Sequence, residues 1–183
     1  MTARQAIVAR LYDVREAILT LPARDSWRRC AWVYLAFAAC AAPAAWASGL
    51  AYPARAALTP GGAAILAGTL ALHPAFSEEV IFRALLLPRR PDRVPRGRLC
   101  LVAAIALLLY VAAHPINAIL FRPAALPVFS APPYLAVAAL LGAACTAAYL
   151  ISGSIWPAVL LHWTTVVLWM LLFGGWALVG SGR

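Results

Sequence analysis

Five apolar stretches, at about 30–51, 61–87, 99–121, 134–151 and 155–179, each come close to the length that crosses the hydrocarbon of a bilayer, about 20 residues. Nothing else in the chain restricts its fold so tightly. Backbone groups in lipid have no water to bond to, so such stretches must be helices or closed barrels. Here the apolar runs are continuous rather than alternating, which predicts helices. Composition agrees: 64% of the 183 residues are hydrophobic and 11% are charged, too little charge for a soluble domain to cover its apolar surface. The predicted fold is all-α, a polytopic membrane helical bundle of about five transmembrane helices.

An N-terminal basic segment, 1–28, precedes this transmembrane domain, 29–183. Ile7, Leu11, Val14, Ile18 and Leu21 recur at helical spacing with arginines around the rest, which predicts an amphipathic helix on the membrane surface. The first apolar stretch has no short h-region and cleavage site, so it is read as a retained helix rather than a signal peptide. The second stretch is too long for one straight crossing. Pro74 predicts a break in it, with the second piece carrying the polar residues.

Every basic residue is an arginine. Six lie before the first span (Arg4, Arg10, Arg15, Arg24, Arg28 and Arg29) and five in the 88–98 loop (Arg89, Arg90, Arg93, Arg96 and Arg98). The intervening loops 52–60 and 122–133 carry one each, Arg55 and Arg122. The positive-inside rule therefore puts the N-terminus and the 88–98 loop in the cytoplasm and the C-terminal tail outside. The net charge of +9 is topology information and predicts no nucleic-acid partner. Cys30, Cys40, Cys100 and Cys145 form no C-x-x-C pair and read as small buried hydrophobes rather than a disulfide or structural-zinc framework.

Function is concentrated in the few polar residues of the spans. Of six acidic residues, only Glu78 and Glu79 fall inside one, and all three histidines, His73, His114 and His162, do. Burying a charge at mid-helix costs about 2.5–3.5 kcal/mol on insertion scales. Glu79 and Arg83 are four apart and can pair on one helix face. Glu78 is turned from Glu79 by about 100° and can face another helix, where His114 or His162 meets it. A carboxylate and a histidine sharing a water can make that water a nucleophile. The same residues equally suit structural glue between helices or an ion pathway, and spacing does not choose among the three.

Three ordered elements narrow the choice. Ser77-Glu78-Glu79-Val80-Ile81-Phe82-Arg83 reads E-E-x-x-x-R. Tyr110-Val111-Ala112-Ala113-His114 is an aromatic-x-x-x-His element. The third runs from Ser152 to His162. Together, over about 61–170, they resemble the CAAX protease and bacteriocin-processing (CPBP, or Abi) family. The resemblance implies an intramembrane endopeptidase acting on a membrane-anchored protein or peptide in the lipid bilayer. By it, Glu78 activates water with His114 as partner, Glu79 and Arg83 complete the first motif, and His162 assists the oxyanion. It also favours a glutamic-type site with no cofactor, zinc being the alternative, since a carboxylate and two histidines can ligate it. A non-catalytic scaffold or immunity protein, or a proton- or ion-coupled transporter, is the competing function.

One element departs from the family pattern. An asparagine or aspartate usually follows the last histidine at +4, and here that position is Val166. Losing an oxyanion donor costs about 2.7–4 kcal/mol, so either another donor substitutes or this branch works differently. Asn117, three residues after His114, is the first candidate, with Trp163, Thr164 and Thr165 behind it. His73 matches no motif and reads as a structural hydrogen bond. The short chain, the His162-Trp163-Thr164-Thr165-Val166 run and the tryptophan-rich last span resemble a bacterial branch tied to JDVT-CTERM sorting signals. That branch implies C-terminal protein sorting in the bacterial inner (cytoplasmic) membrane. Oligomeric state is not legible.

Overall fold

The structure, a computed structural model, describes residues 2–180. Helix α1 (Ala3–Leu19) opens with a capping box, in which the Thr2 hydroxyl accepts from the Gln5 amide and the Gln5 side chain accepts from the Thr2 amide. Its apolar stripe divides between two environments. Val14, Ala17 and Ile18 pack into the protein, while Ile7, Val8 and Leu11 stay exposed. Helix α2 (Arg24–Ala47) begins before the predicted span and takes Arg24, Arg28 and Arg29 into its first turns. One face of it, Cys30, Phe37 and Ala41, packs on Leu141, Ala144, Cys145 and Ala148. The small residues there let the two backbones approach closely.

Helix α3 (Pro60–Leu85) starts from Thr59, whose side chain accepts from the Gly62 amide, with Pro60 in the first turn, where a missing N–H costs nothing. It breaks where the sequence predicts. His73 has φ −142° and ψ 119°, outside helical space, next to Pro74, which cannot donate to the helical ladder. The second piece carries the polar residues. A wide π-type turn at Val80–Leu85 follows Ser77–Glu79, a distortion frequent at functional sites.

Helices α4 (Arg96–Phe121) and α5 (Pro132–Ser152) are unbroken. Helix α5 is the hub, packed against α2, α4, the second piece of α3 and the last long helix, α6 (Trp156–Leu172). Gly153, at φ 63°, closes α5 by returning its N–H to Tyr149. Helix α4 turns Leu101, Leu108 and Phe121 outward, each more than 60% exposed. Water would penalise that surface, and lipid solvates it.

The fifth predicted span, 155–179, is corrected. Helix α6 stops at Leu172 because Gly174 turns the chain at φ 84°, and the Tyr52 ring occupies the space a Cβ would fill. The loop before α3 then lies along the helix end. Amides of Tyr52, Ala54 and Ala56 donate to Phe173, Leu172 and Leu171 at 3.4, 3.1 and 2.9 Å, satisfying carbonyls that a helix end leaves orphaned. A short turn, Trp176–Gly180, follows, and the tail beyond lies outside the described residues. Helices α2, α3, α4 and α5 are long and apolar enough to cross a membrane, and α6 is a shorter apolar helix. The chain is thus a multi-pass helical membrane protein, with α1, the arginine loop and the α5–α6 turn gathered at one end, the basic end.

Candidate active site

Glu79 and Arg83 lie on one face of the second piece of α3 and pair at 3.2 Å, as their spacing predicts. Both are fully enclosed, at 0% and 1% exposure. Burying such a pair is costly unless its other groups find partners, and α5 and α6 supply one each. Arg83 Nη2 donates to the Gly142 carbonyl at 2.9 Å, and His162 Nδ1–H donates to Glu79 Oε1 at 2.8 Å. Glu79 therefore binds Arg83 on its own helix and His162 on another, and orients the imidazole as a carboxylate orients a catalytic or metal-bound histidine.

Tyr110, at 0% exposure, sits at the centre of this array. The Arg83 guanidinium stacks 4.5 Å from its ring centroid. The rings of His114 and His162 stand edge-on to it at 4.9 and 6.1 Å. Gly142 makes room: a Cβ there would meet Tyr110 ring carbons at 2.8–3.0 Å. This one glycine thus admits the tyrosine and offers its carbonyl to Arg83.

His114 lies one turn further along α4. Pro115 has no N–H to give the Val111 carbonyl, and the imidazole lies against that carbonyl and the one before it. His114 Nδ1–H donates to Tyr110 O at 3.0 Å. A carbonyl only accepts, so Nδ1 carries the proton and Nε2 of the neutral ring keeps its lone pair. Tyr134 and Phe129 close the far side, at 5.4 and 6.2 Å between ring centroids.

Glu78 is half-buried, turned from Glu79 as expected. Among the described residues no hydrogen bond or ion pair joins it to His114 or His162. It lies within electrostatic reach of His162, Glu79, Arg83, Tyr110 and Tyr134. Its Oε2 is buried without a hydrogen-bond partner, as are Glu79 Oε2, Arg83 Nε and the Tyr110 hydroxyl. Two acceptors and two donors are thus left unpaired in one neighbourhood, a composition suited to water or a peptide group.

The histidines occupy two layers. His162 and Glu79 are each six residues from the basic end of their helices, about 9 Å at 1.5 Å per residue. His114 is nearer the other end of α4, and Tyr110, one turn back, reaches the lower layer for it. Asn117 is half-buried and makes no side-chain hydrogen bond among the described residues. Val166 packs with Met170 and Val179. His73 is exposed and bonded to the Ser77 hydroxyl at 2.9 Å. Trp163 donates to Ala67 O at 2.8 Å and ties α6 to the first piece of α3. Among the described residues, Glu79, Cys145 and His162 place potential metal-ligand atoms within 4.8 Å of one another, a different trio from Glu78, His114 and His162. Cys145 and Gly142 were not singled out from the sequence; the one available signal was a glycine interrupting an otherwise helical run.

Fold and site together define a multi-pass membrane protein with an acid–base array enclosed between its helices. A family model described as type II CAAX prenyl endopeptidase Rce1-like matches residues 60–178, from the start of α3 past the end of α6, and the chain belongs to that family. The match takes in all five charged and histidine side chains of the array. It is a family of proteases, and the site lies on helices long and apolar enough to cross a membrane, with His162 on the shorter apolar α6. No curated protein and no solved structure matches the chain significantly.

Proposed function

We propose that the chain is an intramembrane endopeptidase in which Glu78 is the general base, His114 its partner, and His162 and Tyr110 stabilise the oxyanion. The observation that carries this reading is the division of labour between the adjacent glutamates. Glu79 is bonded through Oε1 to both Arg83 and His162, whereas Glu78 makes no hydrogen bond or ion pair among the described residues and keeps a buried oxygen free. A water between Glu78 and His114 Nε2 attacks the scissile carbonyl carbon and its proton passes to the Glu78 carboxylate. The tetrahedral intermediate then expels the amine as the C–N bond breaks, and the amine takes the proton from Glu78. The oxyanion needs donors in a dry site. His162 serves here only with both ring nitrogens protonated, Nδ1–H to Glu79 and Nε2–H to the oxyanion, and the unpartnered Tyr110 hydroxyl takes the place of the side chain absent at Val166. Asn117, without a hydrogen bond of its own, is the weaker substitute.

A metal-free site is the better reading. Arg83 pairs with Glu79 Oε1, and its charge opposes a dication among Glu79, Cys145 and His162. Stoichiometric zinc in purified protein would reverse this. The substrate we propose is a membrane-anchored protein with a C-terminal sorting signal, cut in the bacterial inner membrane, with the N-terminus of the protease cytoplasmic.

The test co-expresses the chain with a reporter ending in a short sorting motif, a membrane helix and a basic tail. N-terminal sequencing of the whole membrane proteome captures other substrates. Wild type yields new termini. Glu78→Gln, correctly folded, is expected to yield none, and Tyr110→Phe to cut about 100-fold more slowly, while Asn117→Ala stays near wild type. Full cleavage by Glu78→Gln would sink the mechanism.

A further inference from the structure

The acid–base array leaves the basic end of the molecule unexplained. There α1 lies across the loop that follows α3, and the two enclose a cavity of about 380 Å³ lined by Arg10, Tyr12, Asp13, Arg89, Arg90 and Arg93. Four guanidinium groups face one carboxylate. Asp13 makes no ion pair with any of them among the described residues.

Two of the arginines are anchored. Arg10 donates through Nε and Nη2 to the carbonyls of Leu85 and Leu87. Arg89 donates to Gly153 O at 3.0 Å and to the Thr20 hydroxyl at 2.9 Å. Arg90 and Arg93 are exposed and make no side-chain hydrogen bond among the described residues. Carbonyls and hydroxyls orient a guanidinium but do not neutralise it, so the excess positive charge here suits an anion with several acceptor oxygens.

The surroundings select among anions. Tyr12, in the wall of the cavity, belongs to the exposed apolar face of α1 with Ile7, Val8 and Leu11, each about 60% exposed. A shallow groove along α1, lined by Val8, Ala9 and Tyr12 among others, continues from the cavity and shares Tyr12 and Asp13 with it. A phosphate beside a largely apolar track, here bordered by Arg4, Gln5 and Asp13, is the layout of a lipid headgroup with its acyl chain. We propose that this cavity binds the phosphate headgroup of an anionic phospholipid, with an acyl chain along α1. Arg10 also holds the last carbonyls of the helix that carries Glu78 and Glu79, so the lipid would steady that helix against α1. The binding claim itself is independent of the protease reading.

The test uses the full chain in detergent, titrated with phosphatidylglycerol or phosphatidylcholine and followed by native mass spectrometry. Phosphatidylglycerol adducts are expected to persist where phosphatidylcholine adducts are lost. Arg90→Gln with Arg93→Gln should weaken phosphatidylglycerol binding about tenfold or more. These side chains hold no hydrogen bonds, and circular dichroism checks the fold. Arg96→Gln with Arg98→Gln removes equal charge outside the cavity and is expected to leave binding near wild type. Equal loss in both double variants would mean a diffuse field rather than a site, and no loss in the first would remove the cavity from the account. Inorganic phosphate or glycerophosphate binding as tightly as the lipid would overturn the headgroup assignment in favour of a free phosphate ligand.

Discussion

Glu78 and Glu79 are chemically identical neighbours that the fold sends to different surroundings. Glu79 is fully buried and bonded to a cation and an imidazole, and Glu78 is half-buried with no hydrogen bond or ion pair among the described residues. The two should therefore fail differently on substitution. Removing one partner of a buried pair leaves an uncompensated charge and costs about 3–5 kcal/mol. Glu79→Gln is expected to lose that much stability in a denaturant or thermal melt in micelles, with Arg83 and His162 both released. Glu78→Gln should melt close to wild type. A Glu79→Gln protein as stable as wild type would show that the Arg83–Glu79–His162 array does not hold the site together. The E-E-x-x-x-R pattern made the Glu79–Arg83 pair legible, because i,i+4 neighbours meet on any helix. That His162, 83 residues away in sequence, would bond Glu79 rather than serve Glu78 directly was not, because which helix faces which is a property of the packing.

At the level of elements, α1 acts as a clasp as well as a surface helix. Its end accepts hydrogen bonds from the α5–α6 turn and the start of α6: the Ile155 amide to Ala17 O, the Ser154 hydroxyl to Thr20 O and Trp156 Nε1 to Ile18 O. Arg10 meanwhile caps α3. Periodicity identified the helix but not this docking, and it assigned to lipid a stripe that is half protein-facing. Arg10→Gln is expected to raise amide hydrogen exchange across 83–90 severalfold, through local opening of the α3 end, with α4 unchanged. Uniform exchange across both segments would show that the clasp contributes nothing local. The break in α3 was legible because a proline mid-span has few consequences to choose from. The early end of α6 was not, since it depends on Tyr52 packing on Gly174 from a distant loop.

For the whole molecule, arginine placement carries the orientation. With α1 and the arginine loop on one side, reporter fusions at Asp92 and after α6 are expected to report opposite faces of the membrane, the first cytoplasmic. Both on one side would mean that α6 does not complete a crossing. At 17 residues it spans about 26 Å, somewhat less than the hydrocarbon thickness of about 30 Å, and relies on tilt or the Trp176–Gly180 turn to complete it.

The sequence by itself determined that this is a helical membrane bundle, where α3 bends, and which few polar residues lie within its spans. Each of these follows from local rules: hydropathy, the missing N–H of proline, and the cost of placing charge in lipid. Only the tertiary structure decided that Tyr110 stands between the two histidines, that Gly142 makes room for it, and that His114 and His162 lie in different layers. Those depend on side chains from α3, α4, α5 and α6 meeting at one point, and the relative rotation and depth of packed helices is not written in the period of any one of them.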